Sequence, residues 1–180
     1  MARACQGDEA AFLALYERHR DAIYRFAYRL LGSASAAEDI THDCFVGLLR
    51  RPAAFDPARA SLRTYLYAAA RNLAFKQFRH TEVALDETEA DVQLTTRQEP
   101  LGQLLAAELS EAVREAVAQL PPLQREALVL FEYEELSLAE TAAVVGADVG
   151  TVKARLARAR ANLRQRLAPY LLGARESERR

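Results

Sequence analysis

The sequence has no tryptophan, two cysteines, three histidines, seven glycines and six prolines among its 180 residues. The two cysteines, Cys5 and Cys44, form no CxxC spacing, so neither a disulfide framework nor a metal site is indicated. No apolar run approaches the roughly 20 residues that span a bilayer, and residues 1–9 lack the apolar stretch of a signal peptide. These absences predict no membrane insertion and a cytoplasmic location.

The residues that are present favour helices. Apolar residues make up 51% of the chain and charged residues 27%, and Ala, Leu, Arg and Glu are abundant, which predicts a globular all-α protein. The net charge of −1 conceals a segregation, because residues 81–119 hold 2 Lys and Arg against 9 Asp and Glu. We therefore predict two small helical domains, 1–80 and 109–180, joined by a flexible acidic linker over 81–108.

Cap and turn residues divide the first domain. Asp8 can cap a first helix that Gly32 ends. Ser35 and Glu38 have the spacing of a capping box and predict a second helix to about Arg51. A loop with two prolines follows, and a further serine can cap a third helix.

The second domain shows the same kind of signals. Pro122 is placed as the first residue of a helix, which would carry four apolar residues into a core. These are Leu123, Ala127, Leu128 and Leu130. Ser137 and Glu140 form another capping box, and Asp148 can cap a long last helix over 149–167.

The last two predicted helices, with a short glycine-containing turn between them, are typical of a helix-turn-helix, whose second helix enters a DNA major groove. At about 100° per residue, one stripe of the last helix is apolar. It comprises Val149, Val152, Leu156, Leu163 and Leu167. The opposite face carries Ala154, Ala157 and Ala161 around Arg158, so this arginine is best placed to reach a guanine edge.

Basic side chains flank that face and would meet the phosphates of the groove walls. They are Lys153 and Arg164 on one flank and Arg155 and Arg166 on the other. The residues predicted to contact duplex DNA are Lys153, Ala154, Arg155, Ala157, Arg158 and Arg164. Arg160 lies nearer the apolar stripe, and we expect it to pair with an acid. The simpler alternative is a solvated basic helix face.

The third helix, from a Ser61 cap to about His80, has two faces. Its predicted core stripe is Leu62, Leu66, Ala69 and Leu73. The opposite face carries Thr64, Tyr67, Arg71, Phe75 and Phe78, flanked by Arg63, Lys76 and Arg79. Rings interleaved with cations suit unstacked bases and their backbone. The alternative is that Phe75 and Phe78 pack against a neighbouring helix, and taken alone the pattern favours it.

The second helix also carries two stripes. Ile40, Cys44 and Leu48 form one. The other contains Phe45 and Leu49 with Glu38 and His42. A second apolar patch edged by acids indicates a protein partner, although burial in a helical bundle explains it nearly as well.

Four segments carry a resemblance to a known family. They are AEDITHDCF (37–45), FDPARASLRTYLYAAARN (55–72), LPPLQREALVL (120–130) and LSLAETAAVVGADVGTVKARLARARANL (136–163). In order and spacing they are similar to bacterial RNA polymerase sigma factors of the small two-domain extracytoplasmic-function (ECF) type. The similarity covers nearly the whole chain except the linker and the tail.

The resemblance implies roles for these surfaces. It implies that the first domain binds the polymerase clamp through Glu38, Asp39, His42, Asp43, Phe45 and Leu49. It implies that residues 52–79 capture the melted non-template strand of the minus-ten element. The single-strand set then becomes Arg63, Thr64, Tyr67, Arg71, Asn72, Phe75, Lys76 and Arg79. It also implies that the last helix reads the duplex minus-thirty-five element, that the second domain docks on the polymerase flap, and that an anti-sigma factor masks both basic surfaces.

The sequence departs from the family pattern at several positions. His42 stands where the family usually has Gln, and Glu135 where Gly is frequent. Asp148 replaces a common Ser or Pro, and it can still cap a helix. Ala154 and Ala157 replace larger or polar side chains of some relatives, so the promoter preference of those relatives does not transfer.

The sequence thus predicts a transcription initiation factor that uses no cofactor and is not an enzyme. His42, Asp43 and Cys44 are consecutive on a helix and point in different directions, and no phosphate-cradling glycine loop exists. One alternative is an autonomous helix-turn-helix repressor, which gives the first 80 residues no role. Another is a pure protein-interaction module. For Cys5 and Cys44 we favour a buried or inert role over redox sensing.

Overall fold

The computed structural model describes residues 8–84 and 101–177, and all the regular secondary structure in these ranges is helical. The helices are α1 (Glu9–Leu31), α2 (Ala34–Arg50), α3 (Leu62–Ala84), α4 (Leu101–Ala118), α5 (Pro122–Leu128), α6 (Leu138–Val145) and α7 (Val149–Ser177). A 3-10 turn (Pro52–Ala54) precedes α3, and a π-helical turn (Val129–Tyr133) follows α5. The all-α prediction is confirmed.

The first two helices begin at polar side-chain caps. The Asp8 carboxylate accepts a hydrogen bond from the Ala11 amide at 2.9 Å, and Gly32 ends α1 in the left-handed conformation, as predicted. The prediction of Ser35 as the cap of α2 is wrong. Ser33 is the cap, because α2 begins one residue later and Ser35 already lies inside its first turn.

Two helices, α3 and α7, are longer than their sequence patterns indicate. Ser61 caps α3 as predicted, accepting from the Thr64 amide at 3.1 Å, but α3 continues to Ala84. Helix α4 begins at Leu101, so helices extend into both ends of the predicted linker, whose residues 85–100 lie outside the described ranges. Helix α7 runs past the predicted end at 167 and through Pro169.

Two units pack together. In the N-terminal unit (α1–α3), Ile23, Phe26, Leu30, Ile40 and Leu66 are buried. In the C-terminal unit (α4–α7), the buried residues include Leu120, Leu130, Leu136, Val152 and Leu156. The two cores form one continuous apolar cluster, because α3 packs on α1 and α2 with one side and on α6 with another.

This double packing overturns part of the predicted α3 pattern. Leu66 is buried as expected, but Leu62 and Leu73 are only partly buried. Tyr67 and Thr64, predicted on the opposite face, are 0% and 5% exposed. A helix with neighbours on two sides buries more than one stripe, which a single hydrophobic period does not show.

The predicted elements of the C-terminal unit are largely confirmed. Pro122 is the first residue of α5, and the capping box of Ser137 and Glu140 is complete. The prediction for Leu123 is wrong, since it is 44% exposed at the start of its short helix. Glu135 has a φ of 52°, a backbone conformation that favours glycine. Of the described helices, none is both long and apolar enough to cross a membrane.

Candidate nucleic-acid interface

The helix-turn-helix is formed by α6, a left-handed Gly146 and α7. The Ala147 amide donates to the Ala142 carbonyl at 3.1 Å, closing the end of α6. Asp148 caps α7 as predicted, accepting from the Thr151 amide at 2.8 Å and from its hydroxyl at 2.6 Å. These bonds from Thr151 lower the pKa of Asp148, so the cap is ionised at neutral pH.

Helix α7 packs one face on α4, α5 and α6 and leaves the other in solvent. Val152 and Leu156 are buried as predicted, whereas Val149 is 37% exposed at the first turn. The predicted DNA-contacting face is exposed over Lys153, Ala154, Ala157, Arg158, Ala161 and Arg164. Small residues surrounding one arginine allow the helix backbone to approach base edges closely.

Three other arginines of α7 have partners inside the protein. Arg160 binds Glu132 at 2.6 Å, which confirms that it pairs with an acid. Arg155, which we assigned to a phosphate wall, instead donates to the Glu126 carboxylate at 2.9 Å. Arg166 donates to the side chain of Gln119.

The predicted single-strand face of α3 is covered by the C-terminal unit. Arg71 binds Glu126 with two hydrogen bonds, Nε to Oε2 at 2.6 Å and Nη2 to Oε1 at 3.3 Å. The Glu126 side chain is 0% exposed and Arg71 is 18% exposed. One buried carboxylate of α5 therefore binds an arginine of α3 and, through Arg155, an arginine of α7.

A second buried acid, Glu134, follows the π-helical turn. Its carboxylate accepts from the Tyr67 hydroxyl at 2.7 Å and from Arg29 at 2.9 Å, and its backbone carbonyl accepts from Arg63. The Arg29 guanidinium also lies 4.6 Å from the centre of the Tyr133 ring. This one glutamate thus accepts hydrogen bonds from two donors of the predicted single-strand region, Arg63 and Tyr67, and from Arg29 of α1.

Burial changes the acid–base properties of this contact. It raises the pKa of Glu126, while the guanidinium groups of Arg71 and Arg155 act in the opposite direction. Burial and the nearby Glu134 carboxylate raise the pKa of Tyr67 well above its usual range. The Tyr67 hydroxyl is therefore protonated at neutral pH and acts as a donor.

The distal part of the α3 face is accessible. Asn72 and Lys76 are exposed, and Phe75 is half-buried with the Arg71 guanidinium 4.6 Å from its ring centre. The rings of Phe75 and Phe78 pack edge-on, with their centres 5.7 Å apart. The side chain of Arg79 lies outside the described part of the chain.

The predicted polymerase-binding surface of α2 is acidic and mostly exposed. Glu38, Asp39, His42 and Asp43 are exposed, and Leu49 is 47% exposed. Phe45 lies beneath them, 2% exposed, with its ring 4.8 Å from that of Tyr16. It can support the surface but is not accessible to a partner in this structure.

Of the two cysteines, Cys44 can be placed. It is buried, and burial followed by the Asp43 charge raises its pKa to about 12. A thiol with this pKa is almost entirely protonated at neutral pH and therefore weakly reactive. The structure confirms the buried role predicted for Cys44, while Cys5 lies outside the described residues.

Sequence reasoning missed the two acids and one arginine that hold the units together. Arg125 donates to the Leu30 carbonyl at 2.5 Å, at the end of α1, and to the Leu120 carbonyl at 3.1 Å beyond the end of α4. It thereby satisfies carbonyls that a helix end leaves free. A signal for Glu126 was present, because it directly precedes a run of five apolar residues, 127–131.

A helical chain with an exposed, basic helix-turn-helix falls in the class of helix-turn-helix DNA-binding proteins. Residues 15–82 match the family described as "Sigma-70 region 2", and residues 110–163 match "Sigma-70, region 4". The sequence is 32% identical to the ECF RNA polymerase sigma factor SigW of Bacillus subtilis over 172 residues, covering 90% of this chain and 91% of SigW. The chain belongs to the ECF sigma factor family.

The chain is also similar to a longer sigma factor and to two solved sigma-factor structures. The chain is 33% identical to the ECF sigma factor BldN of Streptomyces coelicolor over 153 residues, 84% of this chain but only 58% of BldN. The structure of CnrH in complex with the cytosolic domain of CnrY has a TM-score of 0.70 and 27% identity, covering 93% of this chain and 94% of that one. RpoE with the anti-sigma factor NepR from Bartonella quintana shares the fold, with a TM-score of 0.72 at 24% identity, covering 88% and 97%.

Proposed function

We propose that the chain is a dissociable, non-catalytic subunit that binds core RNA polymerase in the cytoplasm and directs it to promoters. The observation that carries this proposal is the exposed face of α7, where three alanines surround Arg158 in a chain of this family. The repressor alternative is not favoured, because the N-terminal unit matches a sigma-factor region over 15–82.

We assign duplex recognition at the minus-thirty-five element to α7. Arg158 would bind a guanine edge in the major groove, a contact worth about 1 to 3 kcal/mol of discrimination. Lys153 and Arg164 are exposed on the flank and would bind phosphates, which fix the register of the helix without reading sequence.

We assign capture of the melted minus-ten strand to the α3 face, which includes Tyr67, Phe75 and the exposed Asn72 and Lys76. Stacking of each splayed base contributes about 1 to 3 kcal/mol, which offsets the few kcal/mol needed to unpair it. Strand opening would therefore be driven by binding and would need no ATP. This step requires that the C-terminal unit leave the α3 face.

We further propose that the exposed acids of α2 and Leu49 bind the polymerase clamp, that the C-terminal unit docks on the flap, and that an anti-sigma factor regulates the chain. The support for a regulator is that the similar CnrH structure was solved with the cytosolic domain of CnrY. An anti-sigma factor that blocks either unit would prevent promoter binding.

The test of duplex recognition is Arg158→Ala in run-off transcription with purified core polymerase on the upstream region of the chain's own gene. We expect roughly a tenfold or greater loss of promoter-specific transcript with unchanged binding to core polymerase. Arg18→Ala, which removes an exposed arginine from α1, is the control. Unchanged transcript and footprint in Arg158→Ala would reject the assignment.

The test of strand capture is Phe75→Leu, which removes an aromatic ring from the accessible part of α3. We expect permanganate reactivity of promoter thymines to fall more than closed-complex formation, because stacking acts only on unpaired bases. Leu73→Met, a substitution of similar volume on the packed side of the same helix, should leave both unchanged. Normal thymine reactivity in Phe75→Leu would contradict strand capture by this face.

A further inference from the structure

We infer that Glu126 and Glu134 act as an internal lock that holds the free chain closed and covers the single-strand-binding face of α3. The inference rests on the proposed function for the roles of α3 and α7. It adds a regulatory contact within the chain itself, formed by two buried carboxylates of the C-terminal unit and donors of the N-terminal unit.

The two carboxylates accept hydrogen bonds from donors that would otherwise be available to a nucleic-acid strand. Glu126 accepts from Nε and Nη2 of Arg71, and Glu134 accepts from the hydroxyl of Tyr67. A carboxylate and a phosphate present similar charged oxygens to a guanidinium group, and both accept paired hydrogen bonds from it. The acids thus compete with the backbone of a single strand for the same donors.

Glu126 also connects this contact to the other DNA-binding helix. Its Oε1 atom accepts from Arg155 of α7 at 2.9 Å, and the Arg155 side chain is 18% exposed, as is that of Arg71. In the closed chain, Arg71 is unavailable to a single strand and Arg155 is unavailable to a phosphate wall. Because Glu126 and Arg155 belong to the same unit, opening of the chain would free Arg71 and leave the Arg155 pair in place.

The contact is open to solvent at one edge. Arg29 keeps 30% of its side chain exposed, so solvent and ions reach one edge of the Glu134 site. The two units also share one continuous apolar cluster, so opening exposes apolar area as well as breaking the ion pairs. A polymerase surface or a DNA strand that offers alternative partners to these arginines would favour the open chain.

The test compares the full-length wild-type chain with Glu126→Gln/Glu134→Gln by small-angle X-ray scattering. Glutamine keeps the size of the side chain and removes its charge. The control is Glu108→Gln/Glu132→Gln, which makes the same change of charge at two residues of the same unit that are exposed. We expect the radius of gyration to rise by several ångströms in the lock variant and to stay at the wild-type value in the control.

A second measurement is the affinity for a short fluorescein-labelled single-stranded DNA of mixed sequence. When only a fraction of the chain is open, the apparent affinity is reduced by that fraction. We expect the lock variant to bind at least tenfold more tightly than the control, whose charge is the same. An unchanged radius together with an affinity equal to that of the control would overturn the inference.

The single variant Glu134→Gln provides the test if the double variant does not fold. Its side chain binds Arg29 and Tyr67, both of the N-terminal unit, so the C-terminal unit can fold without this charge. We expect an unchanged helical circular dichroism spectrum and a radius of gyration between those of the wild type and the double variant. A radius of gyration equal to that of the wild type would count against the lock. If the lock variant opens but fails to bind core polymerase, the proposed function fails while the lock stands.

Discussion

Helices α3 and α7 carry similar chemistry but have opposite surroundings. Both present arginines on the side away from their own unit's core. The α7 face around Arg158 is exposed, whereas Tyr67 on α3 is completely buried and the Arg71 side chain is 18% exposed. The protein thus covers one predicted nucleic-acid surface and leaves the other open.

The difference lies in the residues between the cations. The α7 face has alanines at 154, 157 and 161, which offer little apolar area to a protein partner. The α3 face has Tyr67 and Phe75, and aromatic rings gain stability from burial against protein as well as from stacking on bases. A surface suited to unpaired bases is therefore also suited to a protein cover that supplies carboxylates.

The largest expected effect comes from removing the acid that joins the two helices. Glu126→Ala leaves Arg71 and Arg155 without their carboxylate, and we expect a loss of about 3 kcal/mol in the free energy of unfolding. Glu132→Ala breaks an exposed pair and should cost at most about 1 kcal/mol. Urea denaturation followed by circular dichroism measures the free energy of unfolding of both variants. Equal losses would show that the buried pairs of Glu126 contribute no more to stability than the exposed pair of Glu132.

A smaller effect is expected from Tyr67→Phe, which removes the hydroxyl that donates to Glu134 and keeps the ring that packs edge-on against Phe26. We expect a loss of about 1.5 kcal/mol, because the acceptor is charged and becomes partly unsatisfied. Tyr65→Phe, at a ring packed against Phe55, is the control. Equal denaturation midpoints for Tyr67→Phe and wild type would show that this hydrogen bond contributes nothing.

The N-terminal unit should also respond to pH through His19. Burial, followed by the charges of Arg18 and Arg63, lowers the pKa of His19 below 6.5. The unfolded chain then binds more protons than the folded chain near that pH, so stability should fall as the pH falls from 7 to 5. His19→Gln should flatten this dependence. Parallel profiles for wild type and His19→Gln would contradict the assignment.

The smallest expected effect is a gain at Glu135, which directly follows the lock residue Glu134. Its φ of 52° costs a non-glycine residue about 1 kcal/mol, part of which the flexibility of an unfolded glycine offsets. Glu135→Gly should therefore raise the stability by about 0.5 kcal/mol, seen as a small rise in Tm, while Glu135→Ala should not. A lower Tm for the glycine variant would mean that the Glu135 side chain stabilises this turn.

Local signals predicted most of the helices. Asp8, Gly32, Ser61, Pro122 and the capping box at 137–140 all act as their residue types indicate, because capping satisfies backbone groups within one turn. The exposed face of α7 was also predictable. Only one side of that helix is buried, and the spacing of its apolar residues identifies that side. The assignment of Arg160 to an acid followed from its position beside the apolar stripe.

The errors on α3, Arg155 and Phe45 arose where a residue's partner is distant in sequence, whereas those on Ser35 and Leu123 are local. Tyr67 and Thr64 were placed on an outer face, and the pairing of Arg155 with Glu126 was not foreseen. Hydrophobic periodicity reports one buried side of a helix and cannot report a second neighbour. Phe45 was assigned to a partner surface for a similar reason, because its stripe is covered by Tyr16 of α1.

The sequence by itself determined the helices, their caps, the family and the chemistry of the two basic surfaces, because these depend on residue type and on spacing within a few turns. The tertiary structure alone decided which of those surfaces is accessible. Glu126 lies 55 residues from Arg71 and Glu134 lies 67 residues from Tyr67, and only the packing of the two units brings such groups together. Whether an arginine binds a carboxylate or is left for a phosphate depends on that packing and not on the arginine.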